Sequence, residues 1–315
     1  MITIVIPFRN RKSALAATLQ SVAAASHPQA HWVLVDNGST DGAREMCDEF
    51  VAQHSGGMDI RCISCPEAGA ARARNAGLAV AETPWTYFFD SDDLFDNRFF
   101  SVVLPRLSES IDLLALTVNL QTANGLCVRA FQPTADPVAQ VLASHLGTHA
   151  MLVRTSRLRQ VGGWNEALSV WDDWELGLRL LLSFAAETDG EQRVEWLTQP
   201  HLHTILPQTE SITGTAFGDK TEALLRALSA AHDDVCAAQI SDRLAQRLKR
   251  ALRLRHEILQ GLLLREGNTA AAQQCGEQKL RLFGKGSAAI RLVGSALRKY
   301  TAHGGRGAWR IALAL

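Results

Sequence analysis

Three carboxylates stand within the tetrapeptide Asp90-Ser-Asp-Asp93, directly after the largely aromatic run at 85–89. Carboxylates this close repel one another unless a positive group neutralises them. A hard divalent cation does so well, because Mg²⁺ and Mn²⁺ prefer oxygen ligands and usually share one or two carboxylates with substrate phosphates. The tetrapeptide therefore indicates a metal and phosphate site, and a solvated acidic turn at a strand end is the alternative.

Two further polar stretches follow apolar runs in the same way. Residues 7–10 follow the run at 2–6, and residues 36–42 follow the run at 32–35. Such runs alternate with helical patterns through the first hundred residues, which favours βαβ units and a parallel sheet. Ligands of such sheets bind beyond the carboxyl ends of the strands. The sequence therefore predicts one carboxylate-rich cleft at one edge of a sheet.

The elements that must position these residues follow from hydrophobic spacing. The predicted strands are 2–6, 32–35, 60–64, 85–89, 113–116, 126–131, 150–153 and 194–197. The predicted helices are 12–25, a helix after Asp41, 70–81 and 174–182, with turn signals at 133–137 and an almost wholly helical pattern from about residue 219. We expect two domains, 1–218 and 219–315.

Several motifs occur in an order that resembles the family 2 glycosyltransferases of the GT-A fold. They are an opening strand at 4–10, a nucleotide loop at 35–42, an "ARNxG" helix at 69–77, a DxD strand at 87–94, an acceptor loop at 161–166 and an "ED" element at 171–176. The resemblance covers roughly residues 1–215. It implies a Rossmann-like mixed sheet flanked by helices, followed by a C-terminal helical region.

The resemblance also implies a donor site and a metal site. The residues implied for the nucleotide and donor are Pro7, Arg9, Asp36, Asn37, Arg74, Asp90 and Asp92, and those implied for Mn²⁺ or Mg²⁺ are Asp93, Asp92 and His203. Asn37 departs from the commoner Asp-Asp pair, which puts the choice of nucleoside in doubt, although a UDP-sugar is favoured. Arg74 could instead pair with Asp90 or Asp92. The stretch 207–213 resembles a loop that closes over the donor.

By the same resemblance, Asp173 is the general base that activates an acceptor hydroxyl, and Trp164, Trp171 and Asp172 lie on the acceptor side. The alternative is that Asp172 or Asp173 caps the helix that follows. An Asp base opposite a leaving diphosphate gives inversion at the anomeric carbon. The implied activity is a metal-dependent, inverting hexosyl transfer to a glycan or a lipid-linked acceptor.

Two other functions stay open from the sequence. One is a relative that binds a glycan or nucleotide without catalysis, against which the complete carboxylate set at 90–93 and Asp173 argue. The other is a sugar-phosphate nucleotidylyltransferase-like enzyme, but the glycine-rich, arginine-containing loop that such an enzyme needs is missing after Ile6.

The net charge of zero hides two opposed halves. Residues 1–240 carry 17 basic and 28 acidic side chains, whereas residues 241–315 carry 15 and 4. The basic part is read as a solvated helical subdomain, a peripheral membrane contact, or a contact with a protein partner or a homo-oligomer. Nucleic acid is not expected, because no recognition motif accompanies the charge. No run approaches the roughly 20 apolar residues of a membrane span, and residues 1–9 predict a strand rather than a signal peptide. We therefore expect a cytoplasmic location, with the inner face of the membrane as an option.

Overall fold

The computed structural model describes residues 1–129, 133–187, 190–207 and 216–314. Most of the predicted donor loop, residues 208–213, therefore lies outside the described residues. The chain forms two compact units, each built from separate stretches of sequence. The first unit comprises Met1–Pro133, Leu146–Ser169 and Glu191–Thr209, and the second comprises Thr134–His145, Val170–Gly190 and Glu210–Leu315.

Eleven strands and twelve α-helices are present in the described residues. The strands are β1 (Ile2–Phe8), β2 (Ala30–Asp36), β3 (Asp59–Ser64), β4 (Trp85–Phe88), β5 (Leu94–Phe95), β6 (Leu113–Leu116), β7 (Val118–Thr122), β8 (Gly125–Arg129), β9 (Met151–Arg154), β10 (Val194–Leu197) and β11 (His203–Ile205). The helices are α1 (Lys12–Ala24), α2 (Ala43–His54), α3 (Ala70–Ala79), α4 (Phe99–Val103), α5 (Pro137–Ala143), α6 (Thr155–Gln160), α7 (Asp172–Ala185), α8 (Thr221–Ala237), α9 (Asp242–Arg265), α10 (Thr269–Phe283), α11 (Ala288–Ala302) and α12 (Ala308–Leu313).

The first unit is organised by a seven-stranded sheet in the order β10-β6-β9-β4-β1-β2-β3. Strand β9 is antiparallel to both of its neighbours, and every other pair is parallel. Strands β1 and β2 are apolar along almost their whole length, as expected for strands covered on both faces. A smaller sheet, in the order β5-β11-β7-β8, completes the unit. The predicted mixed α/β architecture is therefore confirmed.

Helix α3 packs unusually close to β1 because Gly77 faces the sheet. A Cβ atom on Gly77 would lie 2.2 Å from Cγ1 of Val5. The small residues of α3 thus bring its N-terminal half near the carboxyl end of β1, where a ligand cleft is expected.

The second unit is helical and collects elements from three parts of the chain. Helices α5 and α7 each bury an apolar face. They pack against each other, and α5 also packs on α9 while α7 packs on α8. The predicted division at 218/219 stays a prediction, while the compact units place 134–145 and 170–190 with the C-terminal helices. Among the described residues, no helix combines the length and the apolar character that a bilayer crossing requires.

Candidate functional site

The loops after β1 and β4 meet at the point where the strand order reverses. From β1 the chain runs through α1 to β2 on one side, whereas β4 lies on the other side of β1. Such a switch point opens a crevice at the carboxyl ends of the strands. Arg11, from the first loop, reaches across it, and its Nη1 lies 3.2 Å from Oδ2 of Asp92 in the second loop.

Each carboxylate of the tetrapeptide has a positive or titratable partner in the same unit. Arg74 Nη2 lies 3.0 Å from Asp90 Oδ1, and His203 Nε2 lies 2.6 Å from Asp93 Oδ2. With Arg11 on Asp92, the protein itself supplies the compensating charges that the sequence alone assigned to a metal ion. Burial raises the pKa of Asp92 to about 6, helped by the negative charges of Asp90 and Asp93 and opposed by Arg11.

The contact between His203 and Asp93 lies at the end of a buried hydrogen-bond chain. The hydroxyl of Tyr87 donates to the carbonyl oxygen of His149 at 2.8 Å, so its oxygen accepts from Nδ1 of His203, also at 2.8 Å. The remaining ring atom, Nε2, faces Asp93, whose Oδ1 accepts from the backbone N–H of Leu206. One proton is therefore shared between His203 and Asp93.

The donor atoms of this cluster suit Mn²⁺ or Mg²⁺ by type. Two carboxylates and an imidazole are offered by Asp92, Asp93 and His203, and such an ion commonly takes only one or two protein carboxylates beside substrate phosphates. Within the described ranges, no three His, Cys, Asp or Glu side chains are grouped as a metal site. Asp93 and His203 instead bond to each other, so an ion must displace their shared proton.

The loop after β2 holds the predicted nucleotide residues. Asp36 is buried, and its Oδ1 accepts from the backbone N–H of Ser39 at 2.9 Å. The Asn37 amide spans to the loop before α3, donating to the carbonyls of Cys65 and Glu67. Its Oδ1 accepts from the backbone N–H of a third residue in that loop, Gly69.

These contacts give Asn37 a positioning role. Both amide hydrogens are used within the chain, and an aspartate could not replace them as a donor. The departure from an Asp-Asp pair therefore has a local structural reason.

The other two residues predicted for the donor in this region lie at the end of β1. Pro7 is half-buried, and its backbone pairs in register with Val35 of β2. Arg9 is exposed just beyond the strand. Both lie on the side of the sheet where the crevice opens, and among the described residues neither has a side-chain contact that assigns it a role.

Arg74 and Asn75 explain the "ARNxG" motif of α3. The guanidinium of Arg74 lies 4.4 Å from the ring centroid of Trp164 while it pairs with Asp90. The side-chain amide of Asn75 forms two hydrogen bonds with the backbone of Trp164. It accepts from the N–H at 2.8 Å and donates to the C=O at 2.9 Å. Trp164 is only 2% exposed. Its ring therefore forms a platform for Arg74 instead of an open acceptor surface.

The remaining predicted residues belong to the second unit, at the start of α7. Trp171 is the residue before the helix and has a left-handed φ of 56°, and Asp172 and Asp173 occupy the first turn. Neither aspartate is the cap residue. Oδ1 of Asp173 accepts from the backbone N–H of Trp174 at 2.7 Å. Both aspartates are partly exposed, which leaves their carboxylates within reach of solvent.

Arg255, from α9, braces this element. Its guanidinium lies 4.2 Å from the ring centroid of Trp171 and 4.4 Å from that of Trp174. It also donates to the carbonyl of Val141 at 2.6 Å. Burial lowers the pKa of Arg255 to about 9, which leaves it charged at neutral pH, and the negative charge of Asp173 opposes the shift.

Sequence reasoning missed four residues that organise these sites. They are Arg11, Asn75, Tyr87 and Arg255. Arg11 directly follows the opening-strand motif at 4–10, and Tyr87 begins the DxD strand at 87–94, so these motifs could have indicated both residues. Arg255 lies about eighty residues from the element it braces, and no local pattern could have indicated it.

Comparison with known proteins bears on this geometry. Residues 3–120, which contain β1–β4, the crevice loops and the carboxylate tetrapeptide, match the family model described as glycosyl transferase family 2. Through this segment the chain is similar to glycosyl transferase family 2. The resemblance inferred from the motifs is confirmed.

Curated relatives match part of the chain. The pre-mycofactocin glycosyltransferase of Mycobacterium tuberculosis is 27% identical over 193 residues, which are 57% of this chain and 39% of that protein. The glycosyltransferase GlyG of Streptococcus pneumoniae is 28% identical over 110 residues, 35% of this chain and 36% of that protein. The chain thus spans less than two fifths of the length of either relative.

Solved structures share the fold over nearly the whole chain. S. aureus TarS 1–349 in complex with UDP-GlcNAc superposes with a TM-score of 0.71 at 14% identity, covering 98% of this chain and 89% of that one. The mannosyltransferase PcManGT from Pyrobaculum calidifontis, in complex with GDP-Man and Mn²⁺, gives 0.56 at 15% identity, covering 99% and 86%. Identities this low establish the common GT-A fold and nothing finer.

Proposed function

We propose that this protein is an inverting glycosyltransferase that moves a hexosyl group from a nucleotide-diphosphate sugar to a hydroxyl of a glycan or lipid-linked acceptor. The observation that carries the proposal is the contact between Arg11 and Asp92, which joins the loops of β1 and β4 across the crevice at the switch point. The family 2 match covers both loops.

The donor is proposed to be a UDP-sugar bound along this crevice. Asp36 is the last residue of β2, and Asp92 lies four residues beyond the end of β4, so both lie at the carboxyl ends of strands, where a nucleoside binds in sheets of this kind. A TarS structure holds UDP-GlcNAc, and that of PcManGT holds GDP-Man. Because Asn37 is committed to its loop, we assign the nucleobase contact to Asp36 and to backbone groups of 36–42.

Asp92, Asp93 and His203 are proposed to hold Mn²⁺ or Mg²⁺. When bound, the ion neutralises the negative charge that gathers on the leaving diphosphate. Arg11 pairs with one of these ligands, Asp92, and would then be released toward the phosphates, while Arg74 pairs with the neighbouring Asp90.

Asp173 is proposed as the base that removes the proton from the acceptor hydroxyl, with Trp171 and Asp172 beside it on the acceptor side. Support comes from its partial exposure at the start of α7 and from the rigid bracing of its neighbours by Arg255. We propose that Trp164 acts behind the donor site through Arg74, because its ring is buried.

A screen of nucleotide diphosphates and nucleotide sugars by thermal shift, with and without Mn²⁺, is the first test. We expect a UDP-sugar with Mn²⁺ to raise the melting temperature most. Asp173→Asn should then abolish transfer while leaving that shift intact, whereas Asp172→Asn should retain transfer. Equal activity of Asp173→Asn and the unaltered protein would disprove the assignment of the base.

A donor-hydrolysis assay separates an enzyme from a relative that only binds. Slow, Mn²⁺-dependent release of nucleotide from the donor identified in the screen supports catalysis. Binding of the donor with no hydrolysis and no transfer to any tested glycan would favour the non-catalytic alternative. The anomeric configuration of the product, read by NMR, tests inversion.

A further inference from the structure

The last part of the chain carries positive charge only. Residues 278–315 contain eight Lys and Arg and no Asp or Glu. Two of the eight, Lys279 and Arg298, are used inside the second unit, because both pair with the buried Glu257. The other six are exposed, and none pairs with a carboxylate of the described chain. We call these six the basic surface: Arg281, Lys285, Arg291, Lys299, Arg306 and Arg310.

Helix α11 adds an exposed apolar stripe to this charge. Ala289, Leu292, Ala296 and Tyr300 follow one another at intervals of three and four residues, so they share one face of the helix. All four are exposed. Leu292 is 74% exposed, the highest value among the large apolar side chains of the described residues, and Tyr300 is 43% exposed.

The opposite face of α11 fixes the helix to its unit. Gly294, Leu297 and Thr301 are buried there. Gly261 of α9 is part of this close contact, because a Cβ atom on it would lie 2.6 Å from the carbonyl oxygen of Arg298. The exposed stripe therefore belongs to a helix whose opposite face is tightly packed on α9.

Two cations lie beside the stripe. Lys299 is seven residues after Leu292 and therefore on the same face, and Arg291 flanks Leu292. A helix that places apolar side chains and Lys or Arg together on its exposed side suits the boundary between lipid headgroups and acyl chains. Cations near such a surface are attracted by anionic headgroups.

We propose that the basic surface and the α11 stripe together bind the surface of an anionic lipid bilayer. Charge complementarity selects this partner. A symmetric contact with a second copy would bring the basic surface against itself, and a nucleic acid would leave the Leu292 stripe without an apolar partner. The inference does not depend on the proposed transferase activity.

Co-sedimentation of the full chain with vesicles tests the proposal. We expect binding to phosphatidylcholine vesicles that contain about 30% phosphatidylglycerol, little binding to phosphatidylcholine alone, and loss of binding between about 50 mM and about 500 mM NaCl. The double variant Arg291→Glu with Lys299→Glu should bind at least about tenfold more weakly, since each cation at an anionic surface contributes about fivefold.

The matched control is Arg243→Glu with Arg265→Glu, which makes the same change in net charge at exposed positions of α9. We expect it to retain most of the binding. A second pair separates the apolar part: Leu292→Ser should weaken binding about threefold or more, whereas Leu126→Ser, at an exposed leucine of the first unit, should not. Circular dichroism checks that all four variants keep their helix content.

Three results would overturn the proposal. Equal losses of vesicle binding in the two double charge variants would show that binding depends on the net charge of the protein and not on the basic surface. Capture of a DNA duplex without capture of anionic vesicles would assign the surface to nucleic acid. A dimer in solution that Leu292→Ser dissociates, again without vesicle binding, would assign it to a second copy of the chain.

Discussion

The imidazole Nε2 of His203 lies 2.6 Å from Oδ2 of Asp93, with both side chains buried in the first unit. Because the Tyr87 hydroxyl uses its hydrogen on His149, His203 must donate from Nδ1, and the pair with Asp93 retains one proton. The pair is therefore neutral overall, which is how a carboxylate and an imidazole can be buried together at low cost.

Removing this imidazole should be costly to the fold. We expect His203→Ala to lower the free energy of unfolding by about 3 kcal/mol or more, because Asp93 is left buried without its partner. Urea unfolding at pH 7 measures the change. His201→Ala is the control, since His201 is only partly buried and bonds Thr117, and it should cost about 1 kcal/mol. Equal effects of the two substitutions would contradict the shared-proton pair.

Asp92 links the site to pH through its raised pKa. The folded protein holds a proton on Asp92 up to about pH 6, whereas the unfolded chain loses it near the ordinary value of 3.8. Ionisation therefore costs the folded state stability as pH rises through this window, by an amount on the order of 2–3 kcal/mol. Asp92→Asn should be more stable than the unaltered protein above pH 6, with the advantage shrinking toward pH 4.

The opposite behaviour is expected of Asp96, whose pKa is lowered by the hydrogen bond from Arg98. Asp96→Asn should give no gain above pH 6. Chemical unfolding of both variants at several pH values compares them. An advantage of Asp92→Asn that does not depend on pH would show that the ionisation of Asp92 is not its cause.

Asn75 should be intolerant of aspartate. The substitution removes both amide donations, to Trp164 and to Glu166, and places a carboxylate against that of Glu166. We expect a loss of about 2–3 kcal/mol, measured by thermal and urea unfolding. Adding Glu166→Gln should restore part of it, since one repulsion is removed. Asn124→Asp, in an exposed turn, should be nearly neutral.

Arg255 should not be replaceable by lysine. Lysine keeps the charge but loses the planar contact with Trp171 and Trp174. We expect Arg255→Lys to lower the free energy of unfolding by about 1–2 kcal/mol, whereas Arg250→Lys, exposed on the same helix, should have no effect. If Asp173 is the base, Arg255→Lys should also lower kcat more than it changes the KM of the donor.

The βαβ part of the fold was accessible from sequence because its signals are local. The strands at 2–6, 60–64, 113–116 and 194–197 occur where predicted, to within two residues. The turn signals predicted at 133–137 overlap the start of α5, which the sequence analysis does not predict. Asp136 and Pro137 are in fact a capping residue and a first-turn proline, and Oδ1 of Asp136 accepts from Val138 N–H. Asp and Pro are common both in turns and at the start of helices, so these residues alone do not distinguish the two.

The site was predicted in its residue types more than in its contacts. The three carboxylates could be found because strand ends gather in a parallel sheet. The pairing of Arg74 with Asp90 or Asp92 is one of the alternatives that the sequence leaves open, and Arg74 does pair with Asp90. The contacts of Arg11 and His203 could not be predicted, since these residues come from separate segments that only tertiary structure unites. The sequence predicts ligand contacts for Asn37 and Trp164. In the structure, the Asn37 amide bonds to the loop before α3, and the buried Trp164 ring packs against the guanidinium of Arg74.

The two units also differ in when they can be completed during synthesis. All described strands of the first unit have been synthesised once residue 205 is made, whereas α5 and α7 of the second unit must wait for α8 and α9 to cover them. A nascent chain therefore carries two apolar helices exposed for tens of residues of translation. Truncation near residue 218 would make that exposure permanent, so expression of the sheet unit alone would require α5 and α7 to be redesigned with polar faces.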